Sequence, residues 1–377
     1  MKLPKKIISV IAAFAAVSAS VPTISVSSAD TPSDIFFDDF TDGTLDGDKW
    51  LAAYKNWGGK VTENGVKRDY NGGVLPQNIT LADGRLILTG HGNLYEGDIR
   101  GINRDMSKRE NGKRTGAAIA TKEYFASGSY EVMAKVAPEL GACSAIWTFE
   151  YEEDWDTGEI TNHEIDIEMP GRPASEKKNQ SFEYALCNTW TGENEGQYKT
   201  GYTDIGADQA DGKFHKYRFD WHTGDENEEK RVDFFFDDKL VYTSTKHIPT
   251  NAGRLWIGLW FPNAWAGVPD FDTTAFEIDY VKITPFHEKG DTPQNETYPD
   301  DGWGDIADIS VSAPSETVIG DVNKDGEFSI ADAVMLQKWL INAPDTQLTD
   351  PKAADMDENK ILDVYDLCLL KRRLISS

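Results

Sequence analysis

The stretch NHEIDIEMPGRP, residues 162–173, sets Glu164, Asp166 and Glu168 at every second position with Ile165 and Ile167 between them. A β-strand turns successive side chains to opposite faces. The three acids therefore share one face, while Ile165, Ile167 and Met169 point into a core. Like charges this close raise the cost of ionising all three together. An acid at alternate positions over five residues arises by chance roughly twice in a chain this acidic. A solvated strand face is thus the alternative reading until the surroundings are considered.

Outward from this strand, from Ile35 to Phe286, short alternating runs such as RLILTG, GSYEVMAKV, RVDFFFDD and LWIGLW are separated by Gly, Asn and Asp. Turn-punctuated strands of this kind predict an all-β sandwich of about 250 residues. The chain has 377 residues, 39% of them hydrophobic and 11% aromatic, enough for a packed core. Its 64 acids against 38 bases leave a net charge of -26. That surplus repels phosphate backbones, which argues against nucleic acid and suits neutral ligands or calcium.

The first residues, MKLPKKIISVIAAFAAVSAS, place Lys2, Lys5 and Lys6 before a short apolar run from Ile7 to Val17 and then small residues. This is the layout of a secretory leader, too short for a membrane span, with cleavage after Ala19 or Ala29. The expectation is a secreted, extracellular protein with no membrane partner. Three cysteines make no disulfide framework. Cys143 and Cys187 are read as buried free thiols, with pairing across a sheet as the alternative. Six histidines show no zinc-ligand spacing.

Residues 287–318 are rich in Pro, Gly, Ser, Thr and acids and read as a flexible linker. Beyond it the sequence repeats. DVNKDGEFSIAD begins at Asp321 and DMDENKILDVYD at Asp355, 34 residues later. Each is a 12-residue loop with oxygen-bearing side chains at positions 1, 3, 5, 9 and 12. These are Asp321, Asn323, Asp325, Ser329 and Asp332 in the first loop, and Asp355, Asp357, Asn359, Asp363 and Asp366 in the second. Such spacing wraps oxygens around one calcium ion, and Gly326 supplies the turn at position 6, where the second loop has Lys360. Each loop leads into a matching helical run, AVMLQKWLI or LCLLKRRLI. The duplicated loop-helix unit resembles a type I dockerin, a small α-helical calcium-binding module. That resemblance implies a cohesin domain of a scaffoldin as partner and places the contact pairs at Ile330-Ala331 and Val364-Tyr365.

Two glutamates leaning together on a curved sheet can bring their carboxyls to about 5–5.5 Å, the separation at which a glycosidase works with retention. Asp166 between them would couple their titrations and hold charge on one and a proton on another. Glu-Ile-Asp-Ile-Glu on a strand of a jelly-roll resembles glycoside hydrolase family 16. The likeness extends from Phe37 to Phe286 through FFDDFTDGTLDGDKW, ASGSYEVMAKV, GACSAIWTFE, FHKYRFDWHTG, LWIGLWFPNAWAG and FEIDYVKI. It implies Glu164 as nucleophile, Glu168 as acid/base and Asp166 as assisting carboxylate. The motif lacks an extra residue before the second Glu, the form found in mixed-linkage β-glucanases and xyloglucan-active members. The resemblance also implies a structural calcium in the sandwich with Asp279 as a ligand.

Sugar rings stack their C–H faces on aromatics. Trp147 and Phe149 share one strand face, and Trp256 and Trp260 another, with Gly258 between the latter pair leaving room for close approach. Trp265, Trp190, Trp57 and Tyr54 read as loop residues at a cleft rim, against the alternative of core aromatics. Trp147, Phe149, Trp190, Trp260 and Trp265 are the substrate-binding candidates. His215 and His222 read as structural, and His163 receives no catalytic role. GAAIAT, residues 116–121, and Gly258 depart from the mixed-linkage pattern, where an acid, an arginine and an asparagine are expected.

The combined expectation divides the chain into a leader (1–29), a jelly-roll sandwich (35–286), a linker (287–318) and a dockerin (319–377). Its function is retaining endo-hydrolysis of plant-wall β-glucan, mixed β-1,3-1,4-glucan first, on a cellulosome scaffold. The alternatives are β-1,3-glucan or xyloglucan as substrate, or a non-catalytic carbohydrate-binding sandwich. Truncation after Phe286 is expected to leave turnover intact.

Overall fold

The computed structural model describes residues 35–57, 61–63, 66–68, 71–103, 107, 112–154, 159–171, 181–192, 194, 196–262, 264–295, 303–304, 309–311, 319–323, 328–341, 343, 346, 348, 351–357 and 362–376. The leader, Asp325, Gly326, Asn359 and Lys360 lie outside these residues.

Two antiparallel layers face each other. The chain begins in β1 (Phe36–Asp38) and β2 (Trp50–Ala52), followed by the hairpin β3 (Val61–Glu63) and β4 (Val66–Arg68). Next come β5 (Asn71–Val74), β6 (Ile79–Ala82), β7 (Arg85–His91), β8 (Arg114–Thr121) and β9 (Gly128–Lys135). The central strands are β10 (Cys143–Asp154), β11 (Glu159–Met169) and β12 (Tyr184–Thr191), with short β13 (Tyr198–Lys199) and β14 (Tyr202–Asp204). The last sandwich strands are β15 (His215–His222), β16 (Arg231–Phe236), β17 (Lys239–Ser244), β18 (Arg254–Trp260) and β19 (Thr273–Pro285). The front layer runs β2-β8-β18-β10-β11-β12, and β13 and β14 pair with β12. Behind it, β6-β7-β19-β9-β15-β16-β17 form the back layer, with β1 beside the second half of β19.

Alternation explains the layering. Tyr217, Phe219 and Trp221 on β15 are buried while the residues between them are half-exposed, and Val232, Phe234 and Phe236 repeat this on β16. They share one core with Ile165, Ile167 and Met169 on β11 and Leu255, Ile257 and Leu259 on β18. Trimming a side chain as buried as Phe219 to alanine costs on the order of 3–5 kcal/mol. Buried polar tips find partners: Trp50 Nε1 donates to Asp38 Oδ2 at 2.8 Å, and Trp221 Nε1 to the Pro249 carbonyl at 2.9 Å.

The stretch read as a flexible linker is fastened to the sandwich wherever it is described. Glu288 accepts from Gly224 N at 2.8 Å, and Asp291 accepts from Ser127 Oγ at 2.8 Å and Thr223 Oγ1 at 2.6 Å. Asn295 N donates to Glu150 Oε1 at 2.8 Å. Farther along, Ile309 is buried in the core, and β20 (Ser310–Val311) pairs in parallel with β6. Low apolar content hid these contacts, because most of them are hydrogen bonds to carboxylates rather than packed side chains.

The C-terminal module contains α1 (Ile330–Leu340), the short α2 (Pro351–Ala354) and α3 (Val364–Ser376). Its core pairs equivalent positions of the two repeats: Val322 with Met356, Ala333 with Leu367, and Leu336 with Leu370. Lys371 Nζ donates to Gln337 Oε1 at 2.8 Å, again between residues 34 apart in the sequence.

Candidate active site

β11 lies between β10 and β12, so each acid has a defined neighbour on either side. Glu164 stands opposite Phe149 and Trp190, Asp166 opposite Trp147 and Asn188, and Glu168 opposite Ala145 and Leu186. β18 extends these rows: Trp256 faces Trp147 and Gly258 faces Ala145. The outward side chains floor one cleft of about 730 Å³ that contains all three acids and all five aromatic candidates. Lys55, Asn56 and Trp57 contribute to its wall on the β2 side, and Thr200 and Tyr202 on the β14 side.

Each acid is held by a nitrogen donor. Asn162 Nδ2 donates to Glu164 Oε2 at 2.8 Å, Trp190 Nε1 to Asp166 Oδ2 at 2.8 Å, and Asn188 Nδ2 to Glu168 Oε2 at 3.2 Å. Gly201 N donates to Asn188 Oδ1 at 3.3 Å and so orients that amide. Asp166 is buried, and Glu164 and Glu168 are half-buried. Burial first, and the neighbouring Asp166 charge second, push Glu164 and Glu168 well above the usual carboxylate range. Burial raises Asp166 to about 6, opposed by hydrogen bonds from Trp190, Glu164 and Asn188. Asp166 raises its neighbour Glu164 while Glu164 lowers Asp166, so the two titrate together. The triad therefore holds its protons to higher pH than free carboxyls and releases them in steps belonging to the group. Chemically it offers a proton donor beside a carboxylate that can ionise, which is what acid-assisted nucleophilic displacement requires.

The aromatic wall is one packed cluster. Trp147 and Trp256 stack with centroids 5.6 Å apart, Trp57 and Trp260 stack at 5.5 Å, and Trp265 meets Trp260 edge-on at 6.1 Å. Beneath them lie Ala118, Ala120 and Ala145. A Cβ on Gly258 would sit 3.0 Å from Ala118 Cβ and 3.1 Å from Trp147 Cη2. The small residues of GAAIAT and Gly258 therefore make room for the Trp147 ring, not for direct approach by a ligand. Trp190, expected on a loop, is on β12, and Trp147 is only 5% exposed although it lines the cleft. Asn162 and Asn188 were missed. Alternation alone could have found Asn162, two residues before Glu164; Asn188 needed the β11–β12 register.

Other residues stand apart from this chemistry. His163 lies 3.6 Å from the buried Glu150, His215 is bracketed by Asp211 and Asp237, and His222 bonds Glu288. Cys143 and Cys187 are free thiols in different clusters, Cys143 beneath the cleft tryptophans and Cys187 in the main core. Burial raises both, Cys187 to about 12.

In the C-terminal module, ligand oxygens of Asp355, Asp357 and Asp366 lie within 4.8 Å of one another. An all-carboxylate set with Asp366 fully buried fits a hard divalent cation such as calcium. Asp332 accepts from Asn323 N at 3.0 Å and Ser329 N at 2.7 Å, while Asp366 accepts from Met356 N at 2.8 Å and Asp363 N at 2.9 Å. The two position-12 aspartates thus close their loops alike. Ser329 and Asp363 also cap α1 and α3, accepting from Ala331 N and Tyr365 N. Asp321 is buried beside α1's loop. Asp279 sits where the β19–β9 register shifts, and burial raises its carboxyl. Among the described residues it joins no group of three metal-ligating side chains. Ile330, Val364 and Tyr365 are exposed.

Comparison with known proteins places this geometry. The profile of the glycosyl hydrolases family 16 matches residues 87–282, just over half of the chain, and the dockerin type I domain matches residues 319–375. The chain belongs to glycosyl hydrolase family 16 and carries a C-terminal type I dockerin, a calcium-binding type of module. It is similar to a beta-glucanase of Acetivibrio thermocellus, 27% identical over 309 residues, covering 78% of each chain. Among solved structures it is similar to a β-1,3-1,4-glucanase (lichenase) from a mouse hindgut metagenome, 22% identical, covering 67% of this chain and 99% of that one at TM-score 0.47. It is also similar to the laminarinase catalytic domain of Thermotoga maritima MSB8, 18% identical, covering 66% and 96% at TM-score 0.48.

Proposed function

We propose that the protein is a secreted, retaining endo-β-glucanase whose first substrate is mixed-linkage β-1,3-1,4-glucan and whose dockerin attaches it to a scaffold-borne cohesin. The observation that supports this most is the row Glu164, Asp166 and Glu168 on the floor of a tryptophan-walled cleft, each acid with its own nitrogen donor. The uninterrupted Glu-Ile-Asp-Ile-Glu favours mixed linkage over β-1,3-glucan. Similar proteins are named beta-glucanases, which supports β-glucan as the substrate class.

In this mechanism Glu168, kept protonated by burial, gives its proton to the glycosidic oxygen as the bond to the anomeric carbon breaks. Asp166 takes up the proton that Glu164 gives up, and Glu164 bonds the anomeric carbon as a glycosyl ester. Glu168, now ionised, takes a proton from water, whose oxygen displaces Glu164 at the same carbon. Two displacements restore the starting configuration. The tryptophans hold sugar rings over the acids while amide groups meet their hydroxyls.

The chain's division follows the same reading: leader 1–29, a catalytic body beginning near Ile35, and a dockerin from 319. Calcium at Asp321, Asn323, Asp325, Ser329 and Asp332, and at Asp355, Asp357, Asn359, Asp363 and Asp366, would order the module that engages cohesin. The test is reducing-end release from mixed-linkage β-glucan, laminarin and xyloglucan by the wild type and Glu164→Ala. Release from mixed-linkage glucan, lost in the variant, is expected. Binding without release from any of the three would instead mark a carbohydrate-binding sandwich.

A further inference from the structure

Trp303 and Gly304, which follow the sandwich in the chain, pair with the residues around β2 at the edge of the cleft. Trp303 forms an antiparallel bridge with Ala53, one residue past β2, and Gly304 N donates to the Ala52 carbonyl at 2.8 Å. The indole of Trp303 stacks on Trp256 with ring centroids 5.1 Å apart and planes at 27°. Lys55 Nζ lies over both rings, 5.1 Å from the Trp256 centroid and 4.8 Å from that of Trp303. Trp256 and Lys55 line the cleft. The seat is tight: a Cβ on Gly304 would fall 2.2 Å from Pro76 Cγ. The segment is tied down on both sides, by Asn295 before Trp303 and by the buried Ile309 and β20 after it.

We propose that Trp303 is a positioning residue of the substrate cleft, supplied by a segment outside the matched family region, 87–282. This rests on the reading of the cleft as a glucan site. Trp256 stacks with Trp147 as well as with Trp303, so Trp303 extends the series of rings that begins opposite Asp166 and packs against a cleft tryptophan. Lys55 has a long stem with several rotatable bonds, and an ammonium held over two indole faces is confined in a way that one ring alone would not achieve. Loss of Trp303 removes one of the two rings under that ammonium and uncovers Trp256, changing the grip on a glucan chain at the β2 end. The acids stand two strands from Trp256, on β11 beyond β10. Binding should therefore suffer and chemistry should not. A functional boundary at Phe286 is consequently too early, because it removes Trp303.

The experiment compares full-length wild type, Trp303→Ala and Trp303→Phe on mixed-linkage β-glucan, laminarin and xyloglucan. For Trp303→Ala, KM on the preferred glucan should rise roughly three- to tenfold with kcat within about twofold, and Trp303→Phe should restore most of the loss. Retardation in native gels containing the same polysaccharides reads the contact without turnover and should weaken in parallel. Wild-type KM and retardation in Trp303→Ala would overturn the proposal. A parallel fall of kcat with melting temperature, KM unchanged, would also overturn it and leave a purely structural tie. If the wild type is neither active on nor retarded by any of the glucans, the glucan reading falls and this one with it. An active wild type with an unaffected Trp303→Ala removes this one alone.

Discussion

Trp190 Nε1 donates to Asp166 Oδ2 at 2.8 Å, although the β11–β12 register sets Trp190 directly opposite Glu164. The indole is long enough to reach the diagonal neighbour, as aromatics on adjacent strands often do. One residue thereby walls the cleft and stabilises charge on the middle acid. Tyr198 packs against the same ring with centroids 4.5 Å apart and holds it in place.

Replacing Trp190 by Phe keeps a ring and removes the donor. An N–H bond to a carboxylate favours its ionised form, so loss of the bond raises the pKa of the Glu164–Asp166 pair. The acidic limb of the kcat/KM profile, which reports ionisation of that pair, should move up by roughly one pH unit. Profiles of the two enzymes check this. A lower plateau with an unmoved limb would mean that the donor does not set the charge.

Glu168 gives a stability prediction of definite sign. Its folded-state pKa is raised, so above the ordinary carboxylate value of 4.5 the native chain holds a proton that the unfolded chain has lost. Stability from this group is present below that value and is lost as pH rises toward the raised folded pKa. Glu168→Gln removes the cost. The variant should melt close to wild type near the ordinary carboxylate pKa and several degrees above it at about pH 8, with turnover lost. Equal differences at both pH values would contradict the assignment.

Gly258 makes room for Trp147. Gly258→Ala brings a methyl group to 3.0 Å from Ala118 Cβ and 3.1 Å from Trp147 Cη2. Overpacking of this kind costs about 1–3 kcal/mol and must displace the ring. A lower melting temperature, a changed near-ultraviolet circular dichroism band and a raised KM are expected together. A variant with wild-type melting and KM would show that the ring has space to spare.

The strand alternation placed the acids on one face and the isoleucines in the core, because a period of two leaves little freedom once one face is buried. The dockerin repeat was equally plain, since calcium demands oxygens at fixed loop positions. What the sequence could not reveal was register. Asn188, Trp256 and Gly258 acquire meaning only from their partners on neighbouring strands, 20 or more residues away in the chain. Composition also misled at 287–295 and at Trp303, where hydrogen bonds to carboxylates and one stacked tryptophan hold residues of a stretch poor in apolar side chains.

Calcium removal should act on one part of the chain. Asp355, Asp357 and Asp366 crowd their carboxylates together, and without a cation their repulsion opposes the loop. EGTA should lower the helical circular dichroism signal of α1 and α3 and abolish cohesin binding, while glucan hydrolysis persists. Helicity unchanged by EGTA would remove calcium from the folding of this module.

The nucleophile is read directly by trapping the intermediate with a 2-deoxy-2-fluoro β-glucosyl oligosaccharide bearing an activated leaving group and mapping the adduct by peptide mass spectrometry. A single glycosyl ester on Glu164 is expected, formed in wild type and absent from Glu164→Ala. An ester on Glu168, or turnover with inverted product and no ester, would contradict it.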